Sequence, residues 1–361
     1  MVRSPSADIS PFGTLPDGAA VTSVILRNGS GLEARVLSFG ATLQALHVPD
    51  RTGRSADIVL GYATASDYQT KPQYFGATIG RFGNRIGGGR FSLDGRAYRI
   101  PATDGAEALH GGERGFDVRL WEIDSVSEPG EPASVTLRRV SPDGEEGFPG
   151  TLEVRATYSL GEDGLELSYE ASTDAPTVIN LTNHSFFNLS GEASGRSALE
   201  HRLTLQADRI TAVGPTMIPT GVLMPVDGTA LDFRAPRRIA DRVRDASEQQ
   251  IALGRGYDHN YVLRDAPAES PLPAARLEDP VSGRVLEVLT TEPGVQFYSG
   301  NFLDGTIAGK SGLLYRQDDG LCLETQHFPD SPNHPHFPST RLDPGRVFRS
   351  RTVWRFSTMP A

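Results

Sequence analysis

Cysteine is all but missing from this 361-residue chain. Cys322 is the only one, which excludes an internal disulfide framework. It lies in the apolar run Leu321, Cys322, Leu323 and reads as a small core residue in a reducing compartment rather than as a nucleophile. Long hydrophobic runs are missing as well. No stretch of about 18 apolar residues occurs that could cross a membrane, and Met1 to Asp17 lacks the unbroken apolar segment of a signal peptide. The expectation is a soluble, cytoplasmic protein. Positive charge is in short supply, with 35 Lys and Arg against 45 Asp and Glu and a net charge of -10. Such a surface repels nucleic-acid phosphates and anionic lipid, so neither nucleic acid nor membrane is expected as a partner, and a neutral small molecule is. Helical periodicity is scarce too. Only Ile239 to Leu253 reads as helical, and no alternation of strands and helices suggests a parallel sheet.

What the chain does have is period two. Leu152, Val154, Ala156, Tyr158 and Leu160 alternate with polar residues, as a half-buried strand requires, and after Gly161 to Gly164 the pattern resumes with Leu165, Leu167 and Tyr169. That predicts a hairpin. A second hairpin is centred on Asp94 and Gly95, which accept the positive φ of a type I′ turn, and it places Phe91 opposite Tyr98. A third turn runs from Asp279 to Gly283 into a strand over Arg284 to Thr291. Gly 39 and Pro 26 fall between short apolar runs, so turn signals recur about every ten residues. The fold class predicted is all-β, a large antiparallel sandwich or barrel. No fixed repeat and no linker divides the chain. It reads as one domain over 1–361, with a core of about 11–356 and a loose N-terminus.

Several polar clusters sit inside apolar, strand-like surroundings. In Val178 to Leu189, a continuous strand would put Asn180, Thr182, His184, Phe186 and Asn188 on one face, with Ile179, Leu181, Phe187 and Leu189 on the other. A wet cleft or a hydrogen-bonded core histidine would each explain that face. Glu324 follows an apolar run, where desolvation raises a carboxylate toward the range useful to a general base, although a buried carboxylate paired with arginine would look the same. His110 precedes Gly111 and Gly112, which permit close approach of ligand to backbone or simply make a turn. Asn84 and Arg85 lie in Gly80 to Ile86, Asp258 in Gly256 to Tyr261, and Gln296 with Tyr298 on one face of Gly294 to Asn301. Carboxylates, guanidinium groups and amides of this kind suit a ligand rich in hydroxyls.

Other chemistries fit less well. His327, His334 and His336 are separated by a Pro-rich loop that fixes no shared face, and there is no HExxH pattern or second cysteine, so no metal is expected. A Ser-His-Asp hydrolase would want a Gly-x-Ser-x-Gly elbow, which does not occur. Gly87 to Gly89 lacks the spacing of a dinucleotide-binding loop.

Taken in order, the clusters resemble the aldose 1-epimerase (galactose mutarotase) family. The resemblance runs from Gly40-Ala41-Thr42 through Gly61-Tyr62, Gly80 to Ile86, Leu109 to Gly112, Asn180 to Leu189, Tyr257 to Tyr261 and Gly294 to Phe302. It ends on a Glu-x-Gln-x-x-Pro-Asp-x-Pro-Asn signature at Glu324 to Asn333. It implies a large twisted antiparallel β-sandwich, the galactose mutarotase-like supersandwich, with few short helices and an open sugar cleft. By motif, Glu324 matches the family's catalytic base and His184 its catalytic acid. His110, Asp258, Asn84, Arg85 and Gln296 match substrate-binding positions. Phe186 departs from the pattern, since many members carry Tyr there.

The activity implied is interconversion of the α and β anomers of free aldoses such as glucose or galactose, with no cofactor or metal, in a monomer or homodimer. The base removes the proton of the C1 hydroxyl while the acid protonates the ring oxygen. That division leads to the expectation of a protonated His184, an ionised Glu324 and a bell-shaped pH profile. The alternatives are a non-catalytic sugar-binding module, which would lose the acid or the base, and a hexose-6-phosphate 1-epimerase, which would need a basic cluster such as Arg234, Arg237 and Arg238. A glycoside hydrolase would need a second carboxylate, for which Asp258 is the candidate.

Overall fold

A computed structural model describes residues 4–360. Three antiparallel sheets carry most of the chain. The first is a five-stranded meander in sequence order: Ser6–Thr14, Ala20–Arg27, Glu33–Leu37, Thr42–Pro49 and Ser55–Asp57. The second has nine strands, in the order Glu122–Val126, Ala133–Ser141, Leu152–Leu160, Gly164–Thr173, Phe348–Thr358, Arg284–Thr290, Leu272–Glu278, Arg202–Leu205 and Arg237–Arg238. The third has six, in the order Phe186–Phe187, Leu321–Gln326, Gly294–Tyr298, Asp258–Val262, Arg209–Val213 and Pro219–Pro225.

Alternation decides how these sheets pack. Along Leu152–Leu160 every second residue is fully buried. Those side chains meet Val36 and Leu43 of the first sheet and Val295, Phe297 and Leu323 of the third in one apolar cluster. The strand Phe348–Thr358 is hydrogen-bonded between Gly164–Thr173 and Arg284–Thr290. The last strand thereby ties the middle of the chain to its later half, which is why no linker shows in the sequence.

Both predicted hairpins and the third turn form. Leu160 pairs with Leu165, and the strand over Leu272–Glu278 returns through Asp279 to Gly283 into Arg284–Thr290. Asp94 and Gly95 both take positive φ, 51° and 77°, and Phe91 pairs with Tyr98, their rings stacked at 5.3 Å. Three expectations differ from the structure. The chain is already strand-paired from Ser6 onward, ahead of the Pro11 at which the core was taken to begin, because the alternation in Ala20–Arg27 offers it an edge. Of Ile239 to Leu253, only a 3-10 turn at Ile239–Asp241 and the short helix Gln249–Gly254 are helical. Val178 to Leu189 is not one strand: Thr177–Val178, Thr182–Asn183 and Phe186–Phe187 pair with three different partners, so the segment bends and no single face persists. No helix among the described residues is long and apolar enough to cross a membrane.

Packing this dense traps histidines in their neutral form. Burial holds His184, His201 and His259 down at about 4 against an ordinary 6.5. The unfolded chain therefore binds more protons than the folded one between those values, and stability is lost as pH falls from about 6.5 to about 4. Thermal melting across that window tests this: the midpoint falls with acidification, and His259→Gln makes the fall shallower whatever it does to stability at neutral pH.

Candidate active site

The third sheet explains why a polar cleft lies against an apolar core. Asn260, Gln296 and Glu324 are register partners across three neighbouring strands, and Asp258, Tyr298, Cys322 and Phe186 form a second such row. Cross-strand partners share a face. These even-numbered positions therefore line one side of the sheet, while Tyr261, Val295, Phe297, Leu321 and Leu323 go to the core on the other. From these rows, Asp258, Tyr298, Phe186 and Glu324 make the floor of a cleft of about 240 Å³. Its lining includes Asn84, Arg85, His110, His184, Asp258 and Glu324, with Tyr74 and Phe302 as aromatic walls. That volume suits one sugar ring rather than a long oligosaccharide.

Loops bring the remaining groups over this floor. His184 is fixed by its own backbone, whose N–H donates to the Ala77 carbonyl while its carbonyl accepts from Gly76 N–H, both at 2.9 Å. Its ring lies between Tyr74, with centroids 5.5 Å apart, and Phe186, at 5.0 Å, stacked on both. Phe186 therefore packs against the imidazole, at the position where a tyrosine hydroxyl would otherwise be available. His110 stands edge-on to His184 at 5.2 Å and takes a left-handed φ of 52°. Gly111 follows it at φ 93°, where a Cβ would come within 2.0 Å of the Gly80 carbonyl oxygen. Only glycine fits there, so the His-Gly-Gly motif is a close-approach turn that aims the histidine.

Glu324 and His184 face each other, with Oε2 and Nε2 separated by 3.8 Å. Glu324 is 2% exposed, and its Oε2 has no hydrogen-bond partner within the protein. Burial, reinforced by the negative charge of Asp258 and opposed by Arg85, raises its carboxyl well above the ordinary range. His184 goes the other way, to about 4, chiefly through burial. The expectation of a protonated His184 is therefore overturned, and the same burial opposes that of an ionised Glu324. Aromatic neighbours keep out the water that would solvate an imidazolium, and a carboxyl 3.8 Å away that itself resists ionisation gives little compensation. The free site holds a neutral imidazole, which can still donate through its N–H.

Asp258 is kept beside this pair by a 2.7 Å hydrogen bond from Gln296 Nε2 and by Arg85, 3.9 Å away. Gln296 has a supporting place in this arrangement. It holds Asp258 through its Nε2, while its Oε1 accepts from the Gln326 amide. Arg85 also donates to Asp104 at 2.8 Å. Asn84, at φ 63°, donates its backbone N–H to His110 Nδ1 at 3.1 Å. Tyr74, Asp104 and Phe302 were not singled out from the sequence. Isolated aromatics and a lone loop aspartate carry no local signal, although Phe302 closes the last residue of a recognised cluster.

One ligand atom from each of His110, His184 and Glu324 lies within 4.8 Å of the others, so the trio could reach a common cation. The hydrogen bond from Asn84 argues against that use. It makes Nδ1 of a neutral His110 the acceptor, which puts the ring proton on Nε2, where a metal would need a lone pair. His327 is paired with Glu292 at 2.6 Å, His334 with Asp330 at 3.2 Å, and His336 with the Gly221 carbonyl oxygen at 2.9 Å. The three histidines weighed as ligands thus have separate structural partners.

A family model described as aldose 1-epimerase matches residues 22–355. Galactose mutarotase of Sus scrofa is 44% identical over 348 residues, which cover 96% of this chain and 98% of that protein. Aldose 1-epimerase of Escherichia coli K12 is 36% identical over 344 residues, 94% and 96% of the two chains. Among solved structures, galactose 1-epimerase from Lactobacillus acidophilus superposes with a TM-score of 0.86 at 28% identity, over 99% of this chain and all of that one.

The turn that aims His110 is open to direct test. Gly111→Ala should cost roughly 3 to 5 kcal/mol in chemical denaturation, from backbone strain and the clash with Gly80. Gly105→Ala, at φ 63° in open space, should cost only about 1 to 2 kcal/mol. Equal losses in the two variants would remove the close-approach explanation.

Proposed function

The chain belongs to the aldose 1-epimerase family and interconverts the α and β anomers of aldoses, and from that premise we propose that Glu324 is the base and His184 the acid of this reaction. The observation that carries the assignment is the 3.8 Å approach of a partnerless carboxylate oxygen to an imidazole nitrogen at the floor of one cleft. Glu324 takes the proton of the C1 hydroxyl, and the bond from C1 to the ring oxygen breaks as the C1 carbonyl forms. His184 Nε2 supplies the proton to the ring oxygen. Rotation about C1–C2 turns the other carbonyl face toward the same oxygen, and the two transfers run backward to close the ring. His110, Asn84, Arg85 and Asp258 hold the hydroxyls, and Gln296 keeps Asp258 in place.

The Sus scrofa relative is a galactose mutarotase and the Escherichia coli one an aldose 1-epimerase, and we take galactose and glucose as substrates here. The rest of the chain supports the choice of a neutral aldose. Arg234, Arg237 and Arg238 line a separate groove with Arg202, Asp232 and Asp241 and share no lining residue with the cleft. A sugar phosphate would meet Asp104, Asp258 and Glu324 instead, which disfavours the hexose-6-phosphate reading. A binding module without catalysis would have no use for both an acid and a base on one floor. The cleft draws on residues between Gln73 and Glu324, which supports treating 1–361 as one catalytic domain. The buried free thiol of Cys322 is in keeping with a reducing, cytoplasmic setting.

Polarimetry on fresh α-galactose, α-glucose and a pentose tests the assignment. Glu324→Gln and His184→Asn should each lower the catalysed rate roughly 10²- to 10⁴-fold, and near-normal mutarotation by either variant would refute it. The pH dependence gives a second check. Because the base must be ionised, activity rises with pH as Glu324 loses its proton. Asp258→Asn removes a negative charge that raises the Glu324 carboxyl, so its rise should move to lower pH.

A further inference from the structure

We infer that Cys322 is a positioning residue that holds His184 in its Nε2–H tautomer by donating its thiol hydrogen to Nδ1, an inference that rests on His184 being the acid. Cys322 Sγ lies 3.4 Å from His184 Nδ1, on the side of the ring away from Glu324. Strand geometry favours this contact. Cys322 and Glu324 are two residues apart on one strand and so share the cleft face, while Phe186, stacked on His184, is the register partner of Cys322 on the next strand. The floor thus reaches the two nitrogens of one imidazole with two successive side chains of the same face.

The two neighbours make opposite demands on the ring. In the ionised form that acts as base, Glu324 Oε2 is buried without another partner, needs a donor and faces Nε2. Sulfur is a weak acceptor, whereas an imidazole nitrogen is a good one, so the favourable arrangement at Nδ1 has the S–H donating. Cys322 is fully buried, and burial with the nearby Glu324 and Asp258 raises its thiol well above the ordinary range, so it keeps the hydrogen it must donate. A neutral imidazole has a single N–H, and with Nδ1 accepting, that N–H can only be at Nε2. His110 is held by the same logic through a different donor, the Asn84 backbone N–H on its Nδ1. Both histidines of the cleft thereby present Nε2–H groups inward, and an uncharged His184 remains competent to donate to the ring oxygen.

Proton-detected NMR of protein carrying ¹⁵N-histidine reads the tautomer directly, with the His184 signals assigned by their disappearance in His184→Asn. In the wild type His184 should be the Nε2–H form. Cys322→Ser, which keeps a donor, should retain that form and most of kcat. Cys322→Val, which fills the space without a donor, and Cys322→Ala should both give mixed tautomers. Their kcat should fall roughly 3- to 10-fold with KM little changed, the loss of one neutral hydrogen bond. A purely structural role for the thiol would lower melting temperature in these variants without moving the tautomer or separating Ser from Val. An Nδ1–H signal in the wild type, or identical tautomers and kcat in the Ser and Val variants, overturns the inference while leaving the acid and base assignments intact. Those assignments fail on a different result, normal mutarotation by Glu324→Gln or His184→Asn.

Discussion

The cleft depends on keeping a carboxyl and an imidazole, 3.8 Å apart, out of water without letting them collapse into an ion pair. Desolvation penalises the charged form of each, so Glu324 is pushed up and His184 down, and an ion pair in so dry a place would recover only part of the cost. Strain of this sort persists only where the scaffold over-determines the positions of the groups. Here the sheet provides that rigidity: Glu324 is locked in register with Gln296, and Gln296 with Asn260, over a core in which Val295, Phe297 and Leu323 are almost wholly buried.

Around that pair, each cleft residue has a neighbour whose task is orientation. Gln296 and Arg85 hold Asp258, Asp104 holds Arg85, and Asn84 fixes the His110 ring. Tyr74 and Phe186 clamp His184 from its two faces. Proton transfer between fixed oxygens rewards this division, because a donor displaced by a fraction of an ångström loses its alignment. A cleft lined by aromatic rings and a few polar groups also suits a neutral sugar, whose ring carbons pack on aromatic faces while its hydroxyls find amides, a guanidinium and carboxylates.

The distribution of charge reinforces the same selectivity. Arginines are plentiful, but many of those on the nine-stranded sheet are spent on cross-strand pairs such as Arg351 with Glu166 and Arg349 with Glu170. Arg234 and Arg238 are likewise occupied by Asp232 and Glu200. Such exposed pairs add little stability. Within the cleft Arg85 is the arginine on the lining, and it is shared between two carboxylates, so the site offers no concentrated positive charge to a phosphate.

Local pattern determined much of this protein. Alternation over Leu152 to Leu160 specified strand, face and hairpin, and Asp94-Gly95 specified turn type and the Phe91–Tyr98 pairing, because both follow from backbone geometry over a few residues. Glu324, His184, His110, Asp258, Asn84 and Arg85 were legible as polar residues in apolar or glycine-rich settings. The continuous strand read over Val178 to Leu189 was not realised, since its three fragments are claimed by edges from distant parts of the chain, and no local rule anticipates that. Tertiary structure alone decided that Gln296 supports Asp258, that Tyr74 reaches the histidines, and that Cys322 meets His184 Nδ1. It alone set the protonation states as well, because the free energy of a charge depends on everything that displaces water around it, and that enclosure exists only once the sheets and loops have closed.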